Sequence, residues 1–209
     1  MGEWLYKVPG VVEAWFGGAE TGNAIADVLL GEYNPSGKLP VTFPDKWEDC
    51  SAYGLYKTKD SVTEYSDGIF VGYRYFDDKN ITPLFPFGFG LSYTTFDYSD
   101  IKINKKDDGS YLITFKVKNS GSTSGTEIPQ LYISQNNPSV ARPPKELKAF
   151  GRIYLEPGEI KTVSLPLGKS RLAFYDPGTD NWKVEPGEYE VMIGSSSRDL
   201  KLIDKFILK

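Results

Sequence analysis

Tyr111-Leu112-Ile113-Thr114-Phe115-Lys116-Val117 decides the architecture of most of this chain: Tyr111, Ile113, Phe115 and Val117 fall on every second position, with polar or smaller residues between them. A period of two belongs to a strand with one face in a core and the other toward water. Similar runs follow at 128–134, 147–155, 161–167, 171–175, 187–194 and 200–208. The breaks are turn chemistry: Asp107-Asp108-Gly109, Ser120-Gly121, and Glu-Pro-Gly at both 156–158 and 185–187. Pro at the second turn position and Gly at the third is the type II signature. About seven short strands, separated by turns at regular spacing, predict a β-sandwich from Phe96 onward. No Cys…Trp…Cys pattern accompanies them, which excludes a disulfide-pinned immunoglobulin domain. Tyr189, just after Pro186-Gly187, stands where a tyrosine corner is expected.

Upstream of Phe96 the signals change. Val11-Val12-Glu13-Ala14-Trp15-Phe16 reads as a buried strand, broken by Gly17-Gly18. A short helix follows, with Thr21 or Asn23 as candidate caps and Ala24, Ile25, Val28 and Leu29 on one face. Gly31 ends it, Asn34-Pro35-Ser36-Gly37 turns the chain, and Leu39 to Phe43 forms a second short strand. One strand–helix–strand unit cannot cover both faces of an α/β sheet, so this part reads as incomplete. Residues 45–68 form a polar, tyrosine-bearing loop; Ile69 to Asp77 reads as extended from its β-branched and aromatic content. Pro83 to Leu91, with two prolines and two glycines, is an aromatic connector.

Charge changes at the same place. Residues 1–95 carry 7 basic and 13 acidic side chains, and residues 96–209 carry 17 and 15, so a boundary is placed between 95 and 96. The whole 209-residue chain has net charge −4, which gives no attraction to phosphate and argues against nucleic acid. It has no histidine, excluding Ser-His-Asp and Cys-His triads and histidine-bearing zinc sites. The lone Cys50 closes no intrachain disulfide. No run approaches membrane-spanning length and no signal-peptide pattern opens the chain, so no membrane partner is expected and the compartment stays open.

Two motif readings fail. Gly31…Gly37-Lys38 has five residues between the glycines where a phosphate loop has four, and Leu39 where Ser or Thr would bind magnesium. Gly88-Phe89-Gly90 lacks the third glycine of a dinucleotide fingerprint. Asn80-Ile81-Thr82 matches a glycosylation sequon, for which chance is the simpler reading. Paired carboxylates are the chemistry left, because glycoside hydrolysis uses two and needs no histidine. Glu64 and Asp67 sit in the tyrosine-rich loop, and Glu13 and Glu20 flank the first strand; each also reads as a surface or capping carboxylate. Eleven of the 30 aromatic residues lie between Tyr65 and Tyr98, which suits either sugar stacking or, more simply, an interdomain wedge. Arg74 between Tyr73 and Tyr75 could clamp a ligand or tie down a carbonyl.

The run from Glu13 to Gly31, then Asn34-Pro35-Ser36-Gly37-Lys38-Leu39-Pro40, closely resembles the C-terminal region of family 3 glycoside hydrolases of the β-glucosidase type. Gly17 replaces the usual Pro and Ala19 the usual Gln. The likeness continues through Asp67 to Asp77 and Pro86 to Thr94. Gln130-Leu131-Tyr132-Ile133, Arg142 to Lys148 and Ile193 to Ser197 resemble the family's fibronectin type III-like domain. The resemblance implies an α+β chain in two parts. Residues 1–95 would be the end of an α/β/α sandwich domain with its connector, and 96–209 a fibronectin type III-like β-sandwich.

It also implies a retaining enzyme whose aspartate nucleophile lies on a (β/α)8 barrel and whose glutamate acid/base lies upstream on the sandwich domain. No acidic residue here matches either motif, so no catalytic role passes to Glu20, Glu64 or Asp67. The resemblance implies no cofactor and no metal. Expected partners are the barrel, the rest of the sandwich domain, and a β-glucoside or oligosaccharide in the complete enzyme. Asp67, Tyr73 and Arg74, in the 64–75 loop, are the candidates for the rim of its pocket. The alternative is a stand-alone carbohydrate- or protein-binding module without catalysis.

Overall fold

The computed structural model describes residues 2–55, 62–63 and 65–209. From Phe96 onward the chain is built from eleven strands. They are β1 (Phe96–Lys105), β2 (Tyr111–Asn119), β3 (Gly125–Glu127), β4 (Gln130–Gln135), β5 (Glu146–Phe150), β6 (Ile153–Leu155), β7 (Ile160–Leu167), β8 (Phe174–Asp176), β9 (Asn181–Lys183), β10 (Gly187–Gly194) and β11 (Leu200–Leu208). One sheet runs β1-β2-β7 and the other β11-β10-β4-β5; β3-β6 and β8-β9 are separate two-stranded ribbons. All pairings are antiparallel.

The period of two in β2 becomes burial. Tyr111, Ile113, Phe115, Val117 and Asn119 are buried, and the residues between them are not. They meet Val163, Leu165 and Leu167 of β7, and across the sandwich Leu131, Val191 and Ile193. Fully burying each aliphatic side chain is worth about 1.5–3 kcal/mol, so this inner layer carries the sandwich. Every member of the core cluster lies between Tyr111 and Leu208.

The strand count exceeds seven for local reasons. The 147–155 run breaks at Gly151-Arg152 into β5, at the edge of the four-stranded sheet, and β6, in the ribbon with β3. The 171–175 run is one 3-10 turn, Lys169–Leu172, followed by β8. The two Glu-Pro-Gly segments also behave differently. Glu159 N donates to Glu156 O at 3.0 Å around Gly158, whose φ of 76° suits the third position of a type II turn. Glu185-Pro186-Gly187 instead feeds directly into β10, and the Tyr189 hydroxyl donates to the Glu185 carbonyl at 2.8 Å. That is the tyrosine corner read from the sequence.

The first part carries little regular structure: α1 (Thr21–Leu30), α2 (Tyr73–Asp78) and short 3-10 turns. α1 ends where Gly31 N donates to Val28 O at 3.2 Å. Neither expected cap acts as one: Thr21 Oγ1 donates backward to Gly18 O, and Asn23 bonds Glu20. Val11–Phe16 is not a strand but an exposed irregular segment, because no neighbouring strand supplies its ladder. Leu39–Phe43 reduces to a single bridge, Phe43 to Phe85. The extended reading of Ile69–Asp77 is also overturned, since Tyr73 onward is helical. Helical spacing puts Tyr73 and Phe76 on one face, and packing against the sandwich overrides their strand propensity. Phe76 is the one buried hydrophobic residue of residues 2–95 among those described.

Candidate functional site

Asn34 fastens the turn after α1 to the sandwich. Its Nδ2 donates to Ser124 O at 2.9 Å, while its Oδ1 accepts from Ser92 Oγ at 2.9 Å and Tyr93 N at 2.8 Å. The Tyr93 hydroxyl reaches back to Val28 O at 2.7 Å. Lys38 lies 3.3 Å from Glu127, both largely buried, and Glu127 also accepts the Tyr98 hydroxyl at 2.9 Å. Burial first, then the Glu127 charge, pushes the Tyr98 hydroxyl far above its ordinary pKa, so it remains a donor. Leu39 N donates to Phe89 O and Gly88 N to Leu39 O, both at 2.8 Å. Gly90 must lack a side chain because a Cβ would overlap the Gly37 carbonyl oxygen.

α2 sits on the outer face of the β11-β10-β4-β5 sheet. The Tyr73 ring stacks on Phe87 at 4.9 Å and meets Tyr132 edge-on at 6.0 Å, and its hydroxyl accepts from Leu147 N at 2.8 Å. Asp77, whose side chain is 4% exposed, is held between Lys145 at 2.5 Å and Arg198 at 2.9 Å. Arg198 also donates to the Phe76 and Ile81 carbonyls. Arg74 approaches Glu146 at 3.5 Å, and that carboxylate also holds Arg142 at 2.8 Å and Lys148 at 3.3 Å. Burial by itself would raise the Glu146 pKa; Lys148 and Arg142 outweigh it and hold the carboxyl below its ordinary value. The same burial pulls the Lys148 ammonium below its usual range despite the Glu146 charge.

Beside α2 lies an open concavity of about 380 Å³ lined by residues 40–42, residues 71–74 and Phe87. Tyr73 and Arg74 from the sequence-predicted set reach it; Asp67 is not among the lining residues. The Asp67 carbonyl closes a turn by accepting from Phe70 N at 3.0 Å. Glu64 lies outside the described residues. Glu13 Oε1 accepts from Trp15 N at 3.1 Å and Glu20 Oε2 from Asn23 Nδ2 at 2.5 Å, both in exposed settings. Each therefore bonds within its own turn. Among the described residues no group of three or more Cys, Asp or Glu could hold a metal, and no helix is long and apolar enough to cross a membrane. Sequence reading missed Thr42, whose buried Oγ1 makes no hydrogen bond among the described residues, and the Asp77 clamp. The partners of Asp77 lie far along the chain, so no local spacing signals them.

Two family profiles match this arrangement: the glycosyl hydrolase family 3 C-terminal domain over residues 1–93, and the fibronectin type III-like domain over 127–197. The chain belongs to glycoside hydrolase family 3. It is 52% identical over 202 residues to thermostable β-glucosidase B of Acetivibrio thermocellus, covering 95% of this chain and 27% of that protein. The crystal structure of β-glucosidase from Kluyveromyces marxianus in complex with glucose superposes with TM-score 0.93 at 43% identity, over 99% of this chain and 25% of that one. β-Glucosidase 3B from Thermotoga neapolitana, also in complex with glucose, gives 0.89 at 40%, over 98% and 29%. The chain thus spans about a quarter of the length of the relatives it matches.

Family membership gives the surface of the first part a meaning. Trp4, Val12, Trp15, Leu29 and Leu30 are all exposed, and Phe16 is fully so at 101%. Large apolar side chains left open to water, where they gather on one surface, mark a face that another body covers.

Proposed function

We propose that this chain serves as the C-terminal part of a retaining β-glucosidase-type hydrolase that releases terminal β-linked glucose or xylose. Residues 1–95 would complete an α/β/α sandwich domain, and residues 96–209 would form the fibronectin type III-like domain that buttresses it. The observation that carries this reading is the run of large apolar side chains left exposed between Trp4 and Leu30, Phe16 most of all. In this reading the barrel aspartate attacks the anomeric carbon and the upstream glutamate protonates the leaving oxygen. Those two carboxyl groups stand about 5 Å apart in a retaining site. This chain supplies neither. It contributes the rim, where Tyr73 and Arg74 line the concavity beside α2 and Asp67 lies on the turn just before it.

The test is a chimera in which this chain replaces the matching segment of the Acetivibrio thermocellus enzyme. Hydrolysis of an aryl β-glucoside with kcat/KM within about tenfold of that parent, a change of about 1.4 kcal/mol or less, supports the reading. Arg74→Ala in the chimera is expected to raise KM more than it lowers kcat, as removal of a rim contact does. An inactive but folded chimera, or cleavage by the 209-residue chain alone, overturns the proposal.

A further inference from the structure

Two groups of exposed aromatic side chains differ in their surroundings. Around Phe16 the stretch from Ala14 to Ala19 carries no charge, and a protein surface can cover it without stranding one. The β8–β9 hairpin differs. Tyr175 and Trp182 are direct cross-strand partners, with rings edge to face at 5.9 Å and exposures of 47% and 68%. Charged and polar groups crowd the same ribbon: Asp180 accepts the Tyr175 hydroxyl, Lys183 lies 3.9 Å from Asp176, and Asn181 is exposed. Covering this patch with protein would dehydrate two carboxylates and an ammonium, a cost that needs new partners for each.

A pyranose meets both demands at once. Its axial C–H hydrogens sit on the electron-rich face of an aromatic ring, and its equatorial hydroxyls exchange hydrogen bonds with carboxylate and amide groups at the ring edge. The Trp182 indole N–H makes no hydrogen bond among the described residues and remains available as a donor. A cross-strand pair that served the ribbon alone would gain most by closing both rings against each other; Trp182 leaves most of its ring open.

The ribbon is also held still. At its base Phe174 packs 5.4 Å from the Arg142 guanidinium, which Gln135 fixes at 2.6 Å and Glu146 at 2.8 Å. At its tip Asp176 accepts from Gly178 N at 3.0 Å and Thr179 Oγ1 at 3.1 Å. A platform already ordered loses little freedom when a ligand settles on it. β8 and β9 join neither main sheet, and Trp182 is no part of the inner core, so its ring is not spoken for by the fold.

We propose that the Tyr175–Trp182 ribbon is a glycan-stacking platform, separate from the concavity beside α2, that takes the flat face of a β-linked glucan. The choice of β-linked glucose as occupant rests on the hydrolase reading above. The platform would hold the polymer near the enzyme rather than take part in bond cleavage.

The experiment is calorimetric titration of the 209-residue chain with cellohexaose, with maltohexaose as the helically curved control. The expected result is saturable cellohexaose binding with Kd of about 1 mM or tighter, and at least about tenfold weaker binding of maltohexaose. Trp182→Ala is expected to weaken cellohexaose binding at least about tenfold. Trp182→Leu keeps an apolar partner for Tyr175 without an aromatic face, so it should melt with the parent yet lose binding in the same way. Trp182→Tyr should retain it within about threefold. Absence of saturation at about 10 mM cellohexaose, or binding untouched by Trp182→Leu, overturns the platform. A working chimera with no Trp182-dependent binding refutes the platform alone. An inactive chimera with intact Trp182-dependent binding refutes the hydrolase reading alone.

Discussion

Replacing Asn119 by alanine should cost the sandwich more than any surface substitution, and the structure supplies the arithmetic. The Asn119 side chain is completely buried at the end of β2, and its amide uses every donor and acceptor it has. Nδ2 donates to Thr123 O at 2.8 Å and Leu155 O at 3.1 Å; Oδ1 accepts from Thr94 Oγ1 at 2.6 Å and Gly121 N at 3.1 Å. Alanine removes all four bonds; the Leu155 carbonyl and the Thr94 hydroxyl lose their partner in buried settings, and the Thr123 carbonyl and Gly121 N–H in part-buried ones. At about 1 kcal/mol net per bond, with the added penalty for buried unpaired groups, the loss is about 3–5 kcal/mol. For a chain of this length that is a fall in melting temperature of about 10 °C. Asn104 provides the control: it is exposed and its bonds to Leu112 O and Thr114 Oγ1 are long, at 3.4 and 3.5 Å. Asn104→Ala should cost less than about 0.5 kcal/mol.

Asn119→Asp sharpens the test, because the new carboxylate would face two carbonyl oxygens. Burial and those dipoles raise its folded-state pKa above the unfolded value of about 3.9. The sign follows from linkage: the unfolded state then holds fewer protons than the folded state, so destabilisation grows as pH rises through about 4 and shrinks below it. Urea denaturation followed by far-ultraviolet circular dichroism, at pH 7 and pH 4, measures both. An Asn119→Ala loss below about 1 kcal/mol, or one equal to that of Asn104→Ala, would refute the account of a fully satisfied buried hub.

Two further substitutions test the electrostatics and packing of the sandwich. Glu146 has its pKa held below the ordinary value, so its stabilising effect is present above the unfolded carboxyl range and is lost as pH falls through the depressed folded value; Glu146→Gln should lower stability at pH 7, and its deficit should narrow below about pH 4, whereas a deficit independent of pH would refute the ion cluster. The Tyr111 hydroxyl is buried and makes no hydrogen bond among the described residues, while its ring packs 4.2 Å from Phe206. Tyr111→Phe should therefore leave stability unchanged or raise it by about 1 kcal/mol in thermal melts, and a loss of that size would show that the hydroxyl has a partner.

The parts of the fold legible in the sequence are those where a residue's fate depends on its near neighbours. The alternation in β2, the Gly158 turn and the Tyr189 corner all involve partners within a few positions. Ile69–Asp77 was misread because aromatic content marks a strand only on average; Tyr73 and Phe76 are helical because a sheet face lies beneath them. Asn34 reads from the sequence as a turn residue and Asp77 as the end of an extended run, yet each bonds to groups dozens of positions away. At the concavity, Tyr73 and Arg74 were named from the sequence, while Thr42 and Phe87 join them only through the pairing of residues 39–43 with 84–89.

By itself the sequence determined the family and the two-part α+β architecture, because long ordered motifs and strand periodicity are properties of consecutive residues. Only the tertiary structure decided what the first part rests on and what it leaves bare. α2 is clamped through Asp77, Lys145 and Arg198, and Trp182 stands open beside Tyr175. Burial and charge pairing are set by the distance between residues in space, and no spacing along the chain encodes that distance.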